Sequence, residues 1–392
     1  MDRIGIYGGT FNPPHIGHIR GAEYATQALR LQKMLLIPSY ISPHKTLPAN
    51  SPTPAQRAEM LRIAAGENME ICDTELNRGG TSYTYETVET LAARYPDSEL
   101  VLLMGTDMFL SFLNWKEPAR ILQKASIGVL CRGDKGELEQ IAAQKKVLEE
   151  MDATVYLVEN PVTAISSTQL RRLMTFRCAG PFLPDGVEAY IRANCLYDTA
   201  KDYRNLPMEA LEQAVVSLLK TNRVAHVLGC RDTAAELAKI WGADPMDAAR
   251  AGMLHDVTKA LDDGLQLTLC REYGIVLGDF SQKNPKTLHA LTGSLVAERI
   301  FGENTAVVDA IRSHTTGKAD MTTLQKILYV ADYMEPNRDF PGVEELRRLA
   351  YTDLDKALKL GLEMTLALLR ENKQDISPES AEALAFLQQS GV

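Results

Sequence analysis

At 392 residues the chain is longer than a typical single domain, so two or three domains are expected. Its 45% hydrophobic and 24% charged residues are those of a globular protein with sizeable cores. A net charge of −9 excludes a general nucleic-acid surface, which needs a basic footprint, and no apolar run approaches the ~18 residues of a membrane span. Arg3-Ile4-Gly5-Ile6-Tyr7 reads as a strand with no signal-peptide apolar region before it. The cysteines (Cys72, Cys131, Cys178, Cys195, Cys230, Cys270) show no CxxC spacing, so reduced thiols in a cytoplasmic protein are expected.

In chain order, apolar runs at 3–7, 33–37, 99–104, 126–131 and 154–158 alternate with helix-period stretches near 17–30, 55–66, 84–94, 136–150 and 167–175. This alternation predicts an α/β, Rossmann-like domain whose parallel sheet is covered on both faces, with ligands at the carboxyl ends of the strands. The texture changes after Tyr197. From about 207 to 390 the chain reads as helices rich in Ala, Leu, Glu and Lys, and Asp198 to Pro207 reads as a polar linker. The expected domains are 1–200, α/β, and 205–392, all-α.

The seven histidines all fall in motifs. After the first strand comes Gly8-Gly9-Thr10-Phe11-Asn12-Pro13-Pro14-His15-Ile16-Gly17-His18. Glycines there let the backbone approach a phosphate, and the following helix offers unpaired N–H groups and the positive end of its dipole. His15 and His18, three apart at the helix start, can face one polyphosphate together. Ile165-Ser166-Ser167-Thr168-Gln169-Leu170-Arg171 opens a later helix and offers hydroxyls, free amides and an arginine to a triphosphate, although a plain helix cap would use the same residues.

The eleven-residue string resembles the HxGH signature of the nucleotidyltransferase superfamily, in the form found in nicotinate mononucleotide adenylyltransferases, where Asp often stands in place of Asn12. The later motif is similar to the ISSTxxR motif of that family. Pro43-His44-Lys45 matches its phosphate-contacting loop, and Gly105-Thr106-Asp107 its ribose-binding Gly-x-Asp. Trp115 and Ser82-Tyr83-Thr84 resemble the part that holds the pyridine ring, which suits aromatic stacking.

The resemblance implies transfer of AMP from ATP to nicotinate mononucleotide, with release of pyrophosphate. His15, His18, Lys45 and Arg171 would be the catalytic donors, and Gly8, Gly9, Thr10, Phe11, His44, Thr84, Gly105, Asp107, Trp115, Ser166, Ser167 and Thr168 would bind the substrates. Mg²⁺ would arrive with ATP. Nicotinamide mononucleotide or another phosphate acceptor, such as phosphopantetheine, is the alternative.

The helical half carries His226, His255-Asp256, His289, His314 and Asp332, each in a separate helix-like segment. Imidazoles and carboxylates without thiols suit Fe, Mn, Mg or Zn hydrolytic centres, and six ligands suffice for two ions. The order resembles the HD superfamily of metal-dependent phosphohydrolases. His255-Asp-Val-Thr-Lys259, His289-Ala-Leu-Thr-Gly293, His314-Thr-Thr-Gly317 and Ala331-Asp332-Tyr333 are similar to the YqeK family, which splits diadenosine tetraphosphate into two ADP.

By that resemblance His226, His255, Asp256 and Asp332 would hold one ion of a dinuclear iron or manganese centre. Asp256 would bridge to a second ion on His289 and His314, with Lys259 and Arg223 neutralising the polyphosphate. The competing reading is a regulatory module that binds a nucleotide or metal without turnover. The expected partners are ATP, nicotinate mononucleotide and diadenosine tetraphosphate, with neither nucleic acid nor membrane.

Overall fold

The computed structural model describes residues 2–48, 50–131, 135–160 and 165–391. The chain forms two compact units, Met1–Lys201 and Asp202–Val392.

In the first unit six strands form one sheet: β1 (Asp2–Gly9), β2 (Lys33–Pro38), β3 (Met69–Ile71), β4 (Ser98–Gly105), β5 (Ala125–Cys131) and β6 (Val155–Glu159). Their order is β3-β2-β1-β4-β5-β6, and every neighbouring pair is parallel. Parallel pairing requires crossovers, so both faces are covered and the strands are apolar throughout. Ile4, Ile6, Leu100, Leu102, Ile127 and Val129 form the centre of the core. The strand order reverses between β1 and β4. At such a switch point adjacent connections leave on opposite faces and open a crevice at the carboxyl ends of the strands. Gly8 and Gly9 end β1 and Gly105 ends β4, so both motifs border that crevice.

Five strands lie within a residue or two of the apolar runs read from the sequence. The sixth, β3, has the sequence Met-Glu-Ile, pairs only with β2, and is too short to produce an alternation.

Among the described residues the second unit contains helices and no strand. Local signals set their ends. Asp244 caps the helix Pro245–Leu254, accepting from the N–H groups of Met246 and Asp247, with proline at the first position. Gly242 ends Thr221–Trp241 at φ 71°, where a left-handed residue is needed. These two helices pack closely. A Cβ on Gly252 would sit 2.7 Å from the Cα of Arg231, so only glycine permits that approach. His226 and His255 are thereby brought together. Among the described residues no helix is long and apolar enough to cross a membrane.

Candidate active sites

All sixteen side chains and backbone positions expected to serve nucleotide transfer line one cleft of about 1070 Å³ at the switch point. Gly8 and Gly105 have no left-handed φ, so conformation does not explain glycine there. A Cβ at either would meet no protein atom within 4 Å, so a side chain would instead take up cleft space needed by a ligand.

His15 caps the helix Ile16–Ala28 and His18 lies in its first turn. Their rings stack with centroids 3.6 Å apart, and the backbone N–H of His15 donates to His18 Nδ1 at 3.2 Å. Burial, with Lys45 adding to it, pushes the His15 pKa down to about 4. Burial, His15 and Lys45 hold His18 well below the usual histidine value. Two cations could not stack this closely, so the rings are neutral donors near pH 7. His15 Nδ1 is buried without a partner. Phe11 packs edge-on to His18 at 5.1 Å and is almost fully buried, so it supports the rings from below.

The other expected donors are partly engaged with the loop itself. Arg171 donates from Nη1 to the Asn12 carbonyl at 2.6 Å and from Nη2 to Thr168 Oγ1 at 3.1 Å. Ser167 Oγ donates to the Pro13 carbonyl at 3.1 Å. Ser166 Oγ accepts from the backbone N–H of Gln169 at 3.2 Å, so it also acts as a helix cap. An arginine carries more donors than these contacts use, and the motif both braces the glycine-rich loop and faces the cleft. Trp115 lies 5.4 Å from Phe112 and 5.1 Å from His44, with its Nε1 buried and unpartnered. Asp107 is exposed at the start of Thr106–Leu110.

Sequence reasoning missed Arg57. It is fully buried and donates to the carbonyls of Thr10 at 2.6 Å, Ser39 at 2.6 Å and Tyr40 at 3.2 Å. It therefore ties the loops after β1 and β2 together. It sits in an ordinary helix pattern, and only an arginine on a buried face could have signalled it.

In the second unit all six expected ligands converge. His226, His255 and Asp332 form one group and Asp256, His289 and His314 another, with ligand atoms inside each group within 4.8 Å of one another. Asp256 faces both. Its Oδ2 lies 3.6 Å from His255 Nε2 and 3.8 Å from His226 Nε2, while Oδ1 lies 3.5 Å from His289 Nε2 and 4.0 Å from His314 Nε2. That is the placement a bridging carboxylate needs.

The second nitrogen of every ring is also held. His255, His289 and His314 direct Nδ1 to the carbonyl three residues earlier, those of Gly252 (2.7 Å), Lys286 (2.9 Å) and Ile311 (2.6 Å). His226 directs Nδ1 to Glu335 Oε1 at 3.0 Å. A ring that donates from Nδ1 turns the lone pair of Nε2 inward, as a metal requires. Burial lowers the pKa of His255, His289 and His314, favouring the neutral, ligating form. The donor set therefore fits metal binding.

His226, His289 and Asp332 lie within helices, whereas His255, Asp256 and Lys259 occupy the turn after Pro245–Leu254 and His314 ends Thr305–Ser313. The separate-helix expectation is corrected for these. Ending the helices there lets the backbone aim the rings inward. Lys259 is exposed overall, but its Nζ lies 2.9 Å from His289 Nε2, and desolvation there brings its pKa down to about 8. Arg223 pairs with Asp256, and Arg338 with Asp332 at 2.8 Å.

Glu335 was also missed. It is 1% exposed, and its Oε2 accepts from the backbone N–H and Nδ2 of Asn337, both at 2.8 Å. A Cβ on Gly229 would collide with that carboxylate. Its position three residues after Asp332, one helical turn on, was the available signal.

A parallel-sheet nucleotide site and a helical His/Asp cage define a nucleotidyltransferase-like unit joined to an HD unit, and family models agree: cytidylyltransferase-like over residues 6–173 and HD domain over 223–337. The probable nicotinate-nucleotide adenylyltransferase of Dictyoglomus thermophilum is 37% identical over 198 residues, 50% of this chain and 99% of that one. The symmetrical bis(5'-nucleosyl)-tetraphosphatase of Bacillus subtilis is 38% identical over 164 residues, 41% of this chain and 87% of that one. A solved structure described as a predicted HD superfamily hydrolase involved in NAD metabolism, from Clostridium acetobutylicum, is 35% identical with a TM-score of 0.46, covering 47% of this chain and 98% of that one. The chain belongs to both families, the nicotinate-nucleotide adenylyltransferases through its first half and the symmetrical tetraphosphatases through its second.

Proposed function

We propose that residues 1–200 transfer AMP from ATP to nicotinate mononucleotide and that residues 205–392 hydrolyse diadenosine tetraphosphate to two ADP. The observation that carries the first assignment is the gathering of every expected donor around one cleft. The acceptor phosphate is already an anion, so no general base is needed. Its oxygen forms a bond to the α-phosphorus of ATP as the bond to the β-phosphate bridging oxygen breaks, and pyrophosphate leaves with that oxygen. Catalysis is then positioning plus neutralisation of growing negative charge. Lys45 and Arg171 supply that neutralisation, His15 and His18 donate hydrogen bonds to the same oxygens, and Mg²⁺ enters as part of the ATP substrate. Trp115, beside His44, offers an aromatic face to the flat pyridine ring.

The hydrolase assignment rests on four imidazoles whose outer nitrogens are tied and whose inner nitrogens converge on Asp256. His226, His255 and Asp332 would hold one ion and His289 and His314 another, with Asp256 shared between them; these donors suit several divalent metals, and the HD resemblance implies iron or manganese. When bound, such ions supply Lewis acidity to phosphoryl oxygens and lower the pKa of water. Glu335 fixes the tautomer of His226, and Lys259, Arg223 and Arg338 place positive charge where a polyphosphate would lie. Adding water across the central P–O–P linkage gives two ADP.

The test uses the full chain. ATP is offered with nicotinate mononucleotide, nicotinamide mononucleotide and phosphopantetheine in turn, and dinucleotide and pyrophosphate are measured. Diadenosine tetraphosphate is offered with iron or manganese, and products are resolved. A preference for nicotinate mononucleotide and ADP as sole product are expected. Preference for another acceptor contradicts the first assignment, and AMP plus ATP, or no turnover with either metal, contradicts the second.

A further inference from the structure

The first unit ends in an unusual stretch. Cys195, Tyr197 and Asp198 have φ values of 50°, 55° and 58°, a region that non-glycine residues seldom enter and that persists only where surrounding contacts hold it. Two of these residues reach the loops around the nucleotide cleft. The buried Tyr197 hydroxyl donates to Asn12 Oδ1 at 2.7 Å. Asp198 Oδ2 accepts from Asn50 Nδ2 at 2.8 Å.

Asn12 is the hub of this arrangement. It is 3% exposed, its Nδ2 donates to Ser51 Oγ at 3.0 Å, and its carbonyl accepts from Arg171. One side chain thus links the glycine-rich loop, the segment following Lys45, and the terminal stretch. An amide suits the position because it accepts from Tyr197 while donating to Ser51, and an ionised carboxylate could only accept. Tyr197 lies 185 residues from Asn12 in the chain, and its hydroxyl reaches the loop through Asn12 Oδ1.

We propose that Tyr197 is a positioning residue for ATP, acting through Asn12 to hold the loop that carries His15 and His18 in its anion-binding form. This rests on the adenylyltransferase reading of the first unit. Without the hydroxyl, Asn12 Oδ1 is buried and unpaired, and the loop must be ordered when ATP binds rather than beforehand.

The experiment compares the full-length wild type with Tyr197→Phe, Asn12→Ala and the double variant. ATP binding is measured by calorimetry, and KM for ATP and for nicotinate mononucleotide separately. In Tyr197→Phe the Kd and KM for ATP should rise about tenfold, the scale on which one buried hydrogen bond registers in affinity, with the acceptor KM unchanged. The double variant should bind ATP no more weakly than the weaker single variant, since both changes cut one link. Unchanged ATP affinity in Tyr197→Phe, equal changes in both KM values, or additive losses in the double variant would overturn the proposal. A wild-type chain that binds ATP but makes no dinucleotide would refute the adenylyltransferase reading, while the calorimetric comparison would still judge Tyr197.

Discussion

The two candidate sites solve the handling of polyphosphates in opposite ways. In the first unit the donors sit on loops and helix starts around a wide cleft, and their order comes from polar ties such as Arg57 to Thr10 and Arg171 to Asn12. The imidazoles are kept neutral by burial and by Lys45. In the second unit the ligands project from helices and from the turns that end them, they are mostly buried, and each ring is fixed from behind. A site whose substrate carries its own magnesium can be open and loop-built. A site that must itself hold ions needs ligand atoms fixed to within fractions of an ångström, and packed helices provide that.

The comparison is broken most severely by removing the carboxylate shared between the two ligand groups. Asp256→Ala should lower hydrolysis of diadenosine tetraphosphate by at least about a thousandfold and reduce bound metal, because on the proposed reading one carboxylate would serve both ions. Metal content by mass spectrometry and product release measure this; wild-type metal content in the variant would remove Asp256 from the ligand set. Glu335→Gln is gentler. It keeps the shape but weakens acceptance from His226, and metal affinity should fall about 10- to 100-fold, the usual effect of an outer partner. Competition with a chelator reads it, and unaltered affinity would make Glu335 a packing residue only.

The smallest effect concerns protons. His15 has a folded pKa near 4, against about 6.5 unfolded, so its neutral form favours folding above about pH 6.5, and that contribution is lost as pH falls towards 4. The charge of ATP raises the pKa of both imidazoles, so binding at about pH 6 should take up protons. Calorimetry in buffers of different ionisation enthalpy would detect the uptake. Identical heats in all buffers would mean that the rings stay neutral donors throughout.

Much of this was legible in the sequence because both motifs are local or strongly ordered. The glycine-rich string had to follow a strand and open a helix, which fixed its place at the switch point. The order of the His/Asp series picked out the six residues that converge in the second unit. What was not legible depends on distance and on single positions. Arg57 and Tyr197 act through residues 47 and 185 positions away. Gly252 matters because of the backbone of a neighbouring helix. Strand β3 gains its conformation from pairing with β2 rather than from its own three residues.

The central claim is that one chain carries two separate catalytic sites. It is tested most directly by preparing full-length His18→Ala and assaying both reactions on the same sample. Dinucleotide synthesis should fall by about a hundredfold or more, the scale of losing one transition-state donor, while hydrolysis of diadenosine tetraphosphate stays at the wild-type rate. Loss of both activities together, or of neither, would contradict it.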